Sequence, residues 1–189
     1  MISSVVSQKY KVHKTAGNFN NEIGLPLTVF GIRAEHEVAI LEMGISDFNE
    51  MHRLATVANP DICVITNIGL CHLENLGTRD GILKAKTEMF EHMKEGGLAI
   101  LNGDDDKLST KTFVNGRDTV FYGFAQEAKQ DDAGIFMAEK SIYATDVENL
   151  GFEGMEAMIH TPQGAFKANI TIPGEHNVYN ALAATAVGL

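Results

Sequence analysis

The chain has 189 residues, of which 44% are hydrophobic and 21% are charged, and its formal net charge is −10 at pH 7. This composition is typical of a globular protein with a substantial core. The acidic balance argues against sequence-independent binding of nucleic acid or of anionic membranes, because both require clustered Lys and Arg, but it is compatible with small ligands that carry phosphate.

Cysteine usage and hydropathy indicate the cellular environment. The two cysteines, Cys63 and Cys71, are too few for a disulfide framework. The first residues lack the basic start and the long apolar run of a signal peptide, and no segment approaches the roughly 20 apolar residues that span a membrane. We therefore expect a cytoplasmic protein with no nucleic-acid partner and no membrane span.

Helix and strand patterns alternate along residues 1–124. The predicted elements are a helix (1–9), a strand (10–15), a buried strand that ends in Glu42 (36–44), an amphipathic helix that stops before Pro60 (48–60), an apolar strand (61–69), a helix that ends at Gly96 and Gly97 (78–97), and strands at 98–106 and 118–124. This order predicts an α/β fold with a doubly wound, mostly parallel sheet. The strand at 61–69 should be covered on both faces, and Asp104–Asp106 is most simply a solvated turn.

The pattern changes from about residue 117. Residues 153–172 show near-alternation of apolar and polar side chains around a Pro-Gln-Gly turn, which indicates a β-hairpin. We predict one domain with a parallel α/β core at 1–130, a small antiparallel sheet at 131–173 and a returning helix at 174–189.

Glu42 and His72 lie where α/β enzymes keep their binding sites. Glu42 ends one predicted strand, and His72 comes just beyond the next. In an open parallel sheet, ligands bind beyond the carboxyl ends of the strands. A carboxylate and an imidazole at that edge could hold a divalent cation. The alternative is that Glu42 caps a nearby helix and that His72 is an ordinary loop residue.

Lys86 lies on the apolar face of the helix predicted at 78–97. At about 100° per residue it falls near the middle of a face that includes Ile82 and Met89, whereas Lys84 points to solvent. Burying an unpaired ammonium is costly. Lys86 should therefore pair with an acid, be chemically changed, or extend its amine into solvent.

Amide side chains are concentrated near both ends of the chain. Asn177 and Asn180 share a face at the start of the last predicted helix, next to His176, and an amide can match the edge of a purine. Helix capping is the alternative, and the residues alone favour it. Asn20 and Asn21 belong to a segment with more Asn and Gly than a simple loop needs.

Cys71, which precedes His72, is a poor candidate for a Cys–His nucleophile. Adjacent residues rarely point at each other, and the sequence shows no third group that would orient the imidazole.

Six segments occur in the order found in the central domain of the Mur ligases, and the resemblance covers essentially the whole chain. They are GNFNNEIGLPLT, AILEMG, ITNIGLCHLENLG, ILKAKTEMF, ILNGDD and PGEHNVYNALAA. Mur ligases are ATP-dependent enzymes that assemble the peptide of bacterial peptidoglycan. The resemblance implies a P-loop NTPase-like fold with a small antiparallel subsheet, a bacterial cytoplasmic location, and ATP and Mg²⁺ as cofactors.

The first of these segments is most similar to that of the family member that adds D-Ala-D-Ala. The resemblance then implies that ATP phosphorylates the carboxylate of a UDP-N-acetylmuramoyl-tripeptide and that the amine of D-Ala-D-Ala attacks the acyl phosphate. By the same resemblance, Glu42 and His72 match magnesium ligands. Lys86 matches a lysine that is carbamylated, so that its new carboxylate helps to position Mg²⁺.

The resemblance also assigns the amides. Asn180 matches the asparagine that contacts adenine, with His176 and Asn177 beside it. Asn20 and Asn21 match an amide-rich segment near the phosphates and the acyl acceptor.

One motif of the family is not found in the sequence. The nucleotide loop of the family has the pattern G-x-x-G-K-[ST], which does not occur among the 189 residues. We therefore expect a truncated central domain, without the phosphate loop, the N-terminal UDP-binding domain or the C-terminal domain, and with no ligase activity alone.

Two other hypotheses remain open. The first is a ligase similar to folylpolyglutamate synthase, which shares the central architecture, although the amide-rich first segment argues against it. The second is a non-catalytic binding module that lacks the nucleotide loop.

Overall fold

The computed structural model describes residues 1–125 and 139–189, which form a six-stranded sheet with helices on both faces and two small two-stranded sheets. The elements are α1 (Ile2–Val6), β1 (Val12–Lys14), α2 (Gly24–Phe30), β2 (Val38–Ile40), α3 (Glu50–Ala58), β3 (Ile62–Ile65), α4 (Leu73–Leu76), α5 (Arg79–Thr87), β4 (Leu98–Asn102), β5 (Phe113–Val114), β6 (Arg117–Asp118), β7 (Val120–Phe124), β8 (Ile142–Asn149), β9 (Met155–Thr161), β10 (Gly164–Ile170) and α6 (His176–Gly188). A 3-10 turn, Glu88–His92, continues directly from α5.

The large sheet has the strand order β10-β9-β8-β7-β4-β3. Strands β3, β4, β7 and β8 are parallel to one another, whereas β8, β9 and β10 form an antiparallel meander. The α/β fold with a mostly parallel sheet and an antiparallel part is therefore confirmed. The antiparallel strands extend the parallel sheet at its edge, and the boundary predicted at residues 130 and 131 lies outside the described residues.

Each face of the six-stranded sheet has its own apolar cluster. On one face, Leu101 and Phe121 pack among residues of α3 and α5, including Leu54 and Ala85. On the other face, Ile100 and Tyr122 lie in a cluster whose members also come from α6, the C-terminal helix. Because neighbouring residues of a strand point to opposite faces, β4 and β7 contribute to both cores. The doubly wound arrangement follows from this division.

The first and last helices of the chain are packed together. At this contact a Cβ added to Gly188 would lie 2.9 Å from Val5 Cγ1, so the helices approach closely. No helix in the described ranges is long and apolar enough to cross a membrane.

The helix predicted at 78–97 is shorter than expected. α5 begins at Arg79, with the Thr78 side chain accepting a hydrogen bond from Gly81 N, and helical structure ends at His92 rather than at the glycine pair. The chain then turns toward β3, because Lys94 N donates to Pro60 O and Leu98 N donates to Asp61 O. These bonds to the segment before β3 replace the expected last helical turn.

Two predicted strands are also shorter than their apolar runs. β2 ends at Ile40, so Glu42 follows the strand instead of ending it, and Ala39 is exposed. β3 is an edge strand of the six-stranded sheet. Cys63 and Ile65 are buried on it, but Ile62 is 42% exposed, so the expectation of complete cover was wrong at its first residue.

Candidate active site

The loops that follow the parallel strands emerge at one edge of the sheet. β3 and β4 are parallel and in register, as are β4 and β7. Asn102, the last residue of β4, donates from Nδ2 to Thr66 O at 3.1 Å and so ties the loop after β3 to the next strand. The loop after β3 carries His72, and the side chain of Lys86 reaches the same loop from α5.

Asn20 and Glu42 contact each other beyond the end of β2. Asn20 Nδ2 donates to Glu42 Oε1 at 3.0 Å, and Gly44 N donates to Asn20 O at 2.8 Å. A Cβ at Gly44 would lie 2.9 Å from Asn20 Nδ2, so a larger residue there would displace the Asn20 side chain. Glu42 N also donates to Thr15 Oγ1 at 2.9 Å, just after β1. The Glu42 carboxylate is thus exposed but held in place by a neutral amide.

Asn21 has a different role from its neighbour. Its Oδ1 accepts hydrogen bonds from Ile23 N at 3.1 Å and from Gly24 N at 2.8 Å, at the start of α2. These bonds satisfy backbone donors at a helix start, as a capping side chain does. The two adjacent amides therefore have different roles. Asn21 bonds the backbone at the start of α2, and only Asn20 contacts a predicted metal ligand.

His72 is exposed and its backbone is strained. Its φ of 61° and ψ of 27° place it in the left-handed region immediately before α4. A residue with a Cβ adopts this conformation at a cost, and such strain is concentrated at functional sites. The observed outlier is therefore consistent with a role for His72 beyond that of an ordinary loop residue.

Lys86 is half-buried on α5, as its position on the apolar face predicts. Its Nζ donates to Asn67 O at 2.9 Å. Burial lowers the pKa of Lys86 below its ordinary value of 10.5, and the nearby Cys71 and Asp105 oppose this change less strongly. The amine therefore sheds its proton more readily than an exposed lysine, which favours chemical modification at Nζ.

Glu42 and His72 do not belong to a preformed cluster of metal ligands. Among the described residues, the only group of three or more His, Cys, Asp or Glu with ligand atoms within 4.8 Å of one another is His52, Glu91 and His92. The magnesium-binding roles of Glu42, His72 and Lys86 thus remain predictions.

The aspartates after β4 do not form a solvated turn, contrary to the expectation from the sequence. Asp105 Oδ2 accepts a hydrogen bond from Ile68 N at 2.7 Å, and Oδ1 accepts from Lys107 N at 2.9 Å and Leu108 N at 3.0 Å. The Asp105 side chain is only 7% exposed. It connects the loop after β3 to the loop after β4, because an ionised carboxylate can accept several backbone N–H groups at once.

Arg79 strengthens the same connection from the start of α5. Its Nε donates to Ile68 O at 2.9 Å, and its two terminal nitrogens bond Asp106 at 3.0 and 2.5 Å. The Arg79 guanidinium lowers the pKa of Asp106. Of the three aspartates, only Asp106 is largely exposed, at 65% of its side chain.

Asp104 connects β4, β7 and α6. Its Oδ2 accepts from Phe124 N at 2.7 Å and from Tyr179 Oη at 3.1 Å. Its Oδ1 pairs with Lys140 Nζ, which also donates to Phe124 O at 2.7 Å. Sequence reasoning missed these residues because the run of three aspartates shows no periodicity that separates inward from outward positions.

Two asparagines at the start of α6 differ in their contacts. Asn177 is buried, and its Nδ2 donates to Pro173 O at 2.8 Å, so it holds the turn before the helix. Asn180 Nδ2 donates to Asn177 Oδ1 at 3.3 Å. His176 Nε2 lies 3.2 Å from Asn177 Nδ2. The three residues predicted to bind adenine are therefore neighbours. The Asn177 side chain stabilises the turn before α6, and His176 is exposed.

The family model of the Mur ligase middle domain matches residues 1–188. The chain therefore belongs to this family. The resemblance of the six segments to the Mur ligases is thereby confirmed at the level of the family.

Similar proteins include ligases that are named for one particular reaction. The UDP-N-acetylmuramoyl-tripeptide–D-alanyl-D-alanine ligase of Bacillus subtilis (strain 168) is 41% identical over 194 residues, which cover 100% of this chain and 37% of the relative. MurF from Acinetobacter baumannii has a TM-score of 0.85 and 31% identity, over 98% of this chain and 38% of that one.

A third similar protein contains a nucleotide. MurF ligase from Thermotoga maritima, solved in complex with ADP, has a TM-score of 0.80 and 26% identity, over 98% of this chain and 40% of that one. The chain thus spans about two fifths of the length of each of these three proteins.

Proposed function

We propose that this chain is the central ATP-binding domain of a ligase that joins D-Ala-D-Ala to UDP-N-acetylmuramoyl-tripeptide during peptidoglycan synthesis in the bacterial cytoplasm. The observation that carries the proposal is the whole-chain match to the Bacillus subtilis ligase. The positions of the residues support the proposal: Glu42 follows β2 of the two-stranded sheet, His72 lies in the loop after β3, and Lys86 contacts that loop at Asn67 O. Ligands of α/β folds bind beyond the carboxyl ends of parallel strands.

We propose that Lys86 acts as a carbamate. Its lowered pKa increases the fraction of neutral amine, which is the form that reacts with carbon dioxide. The Nζ lone pair forms a bond to the carbon of CO₂, and one N–H proton is released to solvent, leaving an anionic carbamate. This change removes the cost of a desolvated ammonium and adds two oxygen acceptors beside the loop after β3.

We propose that Glu42, His72 and the Lys86 carbamate hold a magnesium ion. Glu42 and the Lys86 carbamate would supply oxygen ligands, which Mg²⁺ prefers, and His72 would supply an imidazole. When bound, the ion would offset negative charge on the transferring phosphoryl oxygens. Asn20 would orient the Glu42 carboxylate through the hydrogen bond already present.

The nucleotide base would lie against the start of α6. Asn180 and His176 are the candidate contacts, and Asn177 positions them by holding the preceding turn through Pro173 O. An amide offers one donor and one acceptor, which is the pattern required at the edge of adenine.

A chimera tests the proposal with a complete enzyme. This chain would replace the matched middle segment of the Bacillus subtilis ligase, and ADP release would be measured with UDP-N-acetylmuramoyl-tripeptide and each of two acceptors. We expect turnover with D-Ala-D-Ala and none with glutamate. Turnover with glutamate alone would favour the folylpolyglutamate-type hypothesis, and nucleotide binding without turnover would favour a non-catalytic module.

Lys86 can be tested in the same chimera against a lysine from the same helix. Lys86→Ala should abolish turnover, and added formate or acetate should restore part of it by supplying the missing carboxylate. Lys84→Ala is the matched control, because Lys84 is exposed on α5 and should keep full activity. A carbonyl carbon signal after labelling with ¹³C-bicarbonate would report the carbamate directly. Equal activity of the two variants would contradict the assigned role.

The 189-residue chain alone should not ligate. Its sequence lacks the glycine- and lysine-containing loop that cradles phosphates in the family. The measurement is amide formation by purified chain at saturating ATP, and product formed without added protein would disprove this expectation.

A further inference from the structure

Two histidines and a glutamate form a compact group on α3 and the 3-10 turn that follows α5. Ligand atoms of His52, Glu91 and His92 all lie within 4.8 Å of one another. None of these residues belongs to the proposed nucleotide or magnesium site. We propose that this group is a second metal site, which binds Zn²⁺ or a similar transition-metal ion.

The two imidazoles already have nearly the spacing that a shared ion requires. His92 Nε2 lies 2.9 Å from His52 Nδ1, and the rings meet edge to face, with centroids 4.4 Å apart and an interplanar angle of 75°. Zn–N bonds of about 2.0–2.1 Å at a near-tetrahedral angle place two nitrogens roughly 3.3 Å apart. A small opening of the pair would therefore admit an ion in place of the shared proton.

A carboxylate completes the donor set. Glu91 Oε2 is 3.9 Å from His52 Nδ1, and the Glu91 side chain is 72% exposed, so it is free to rotate toward an ion. Imidazole nitrogens favour Zn²⁺, Ni²⁺ and Cu²⁺ over Mg²⁺ and Ca²⁺. Two imidazoles and one carboxylate leave one tetrahedral position for water.

The surrounding contacts hold both histidines in place without a metal. Glu88 accepts from Asn49 N at 3.1 Å and from His52 N at 3.2 Å, which connects the turn to the start of α3. Thr56 Oγ1 donates to His52 O at 2.8 Å and lies 3.5 Å from His92 Nδ1. A proton on His92 Nδ1 directed at Thr56 would leave Nε2 as the free ligand atom, as is usual for metal-binding histidines.

A second histidine pair provides a matched comparison. The rings of His13 and His36 are 4.9 Å apart, similar to the distance at the proposed site. However, His13 Nε2 lies 2.7 Å from Thr28 O, and His36 Nδ1 accepts from Arg33 N at 2.9 Å. One nitrogen of each ring thus hydrogen-bonds to the backbone, and neither histidine belongs to the group of three clustered ligands described above. Proximity of two imidazoles alone is therefore not the basis of the proposal.

The test is a calorimetric titration of the metal-free 189-residue chain with ZnCl₂, NiCl₂ and MgCl₂. We expect one Zn²⁺ per chain with a micromolar or tighter Kd, weaker or similar binding of Ni²⁺, and no heat from Mg²⁺ at this site. Zinc at 100 times its Kd should raise Tm by about 5–10 °C. A Zn²⁺ Kd weaker than 1 mM would overturn the proposal.

Substitutions locate the ion. His52→Gln and His92→Gln should each weaken Zn²⁺ binding at least 100-fold, and Glu91→Gln should weaken it about 10-fold. His36→Gln should leave the affinity unchanged, and so should Cys71→Ser, which removes the exposed thiol as an alternative ligand. Binding that survives both His52→Gln and His92→Gln, or that disappears with Cys71→Ser, would refute this site.

Histidine ring NMR gives a readout that does not depend on variants folding. In the unsubstituted chain, Zn²⁺ should shift the ring ¹⁵N signals of two histidines by amounts typical of metal coordination and leave the other five at their metal-free positions. Shifts at a different number of histidines would contradict the assignment.

Discussion

Two groups of polar side chains near the carboxyl ends of parallel strands differ in how their hydrogen bonds are satisfied. Asp104 and Asp105 are mostly buried. Their carboxylate oxygens accept hydrogen bonds from backbone N–H groups and pair with charged side chains of other helices, strands and loops. Glu42, His72 and Lys86 are partly or fully exposed. The Glu42 carboxylate accepts one hydrogen bond from Asn20, and the Lys86 amine donates one to Asn67 O. The first group holds the loops together, whereas the second leaves ligand atoms accessible.

The first group is expected to stabilise the fold, and the second is expected to bind ligands. Replacing Asp104 or Asp105 in the isolated chain should lower the free energy of unfolding strongly, because the substitution leaves buried hydrogen-bond donors without acceptors. Replacing Glu42, His72 or Lys86 should change the free energy of unfolding little, or even raise it, because these side chains are expected to bind ligands rather than to support the fold. Denaturant unfolding of the 189-residue chain measures the change in free energy for substitutions in either group.

Asp105→Ala should have the largest effect. The change leaves Ile68 N, Lys107 N and Leu108 N without their acceptor, so it should lower the free energy of unfolding by about 2–4 kcal/mol. Asp105→Asn is the matched control and should cost less, because its single oxygen can keep the bonds on one side. The comparison fails if Asp105→Ala costs no more than a typical surface substitution.

His72→Gly should stabilise the chain. Glycine adopts the left-handed backbone of residue 72 without a Cβ clash, although it also makes the unfolded chain more flexible. The net gain should be up to about 1 kcal/mol in the free energy of unfolding, while the chimeric enzyme should lose activity. A loss of stability would show that the His72 side chain supports the fold.

Lys86→Met should be neutral or stabilising by up to about 1 kcal/mol at pH 7. Burial depresses the pKa of Lys86 in the folded state, so protonated Lys86 opposes folding below that pKa. As the pH rises toward the ordinary value of 10.5, the unfolded chain also loses the proton and the penalty disappears. The stability difference between Lys86→Met and the unsubstituted chain should therefore shrink with increasing pH. A difference that grows with pH would contradict a desolvated amine.

Glu42→Gln should have the smallest effect. The amide oxygen of Gln can still accept from Asn20 Nδ2, and the side chain is exposed, so the change should lie within about 0.5 kcal/mol. Asn20→Ala tests the same contact from the other side. If Glu42→Gln destabilises the chain strongly, Glu42 belongs with the structural group.

The sequence predicted elements better than it predicted their ends. α3, β4, β7, the β9–β10 hairpin and α6 follow from apolar periodicity and from a Pro-Gln-Gly turn, both of which are local properties. The helix after Thr78 stopped early because its last residues bond to Pro60 and Asp61, which are distant in sequence. Contacts of that kind cannot be derived from a local pattern.

The same limit applies to the site. The apolar surroundings of Lys86 could be predicted from its position on a helix, because helical geometry fixes which side chains share a face. The role of Asp105 could not, since its partners Ile68 and Arg79 lie on other elements. The placement of His52 beside His92 likewise depends on how α3 packs against the turn after α5.

The packing of α6 against the sheet affects the order in which the fold can be completed. During synthesis on a ribosome, Ile100 and Tyr122 emerge well before Val178 and Leu182, which share their apolar cluster. Among the described residues, α6 is the only helix that contributes to this cluster, so it cannot cover that face of the sheet until residues 176–188 have left the exit tunnel. Closing so long a loop is slow relative to local helix formation, and the nascent chain should be a substrate for chaperones during that interval.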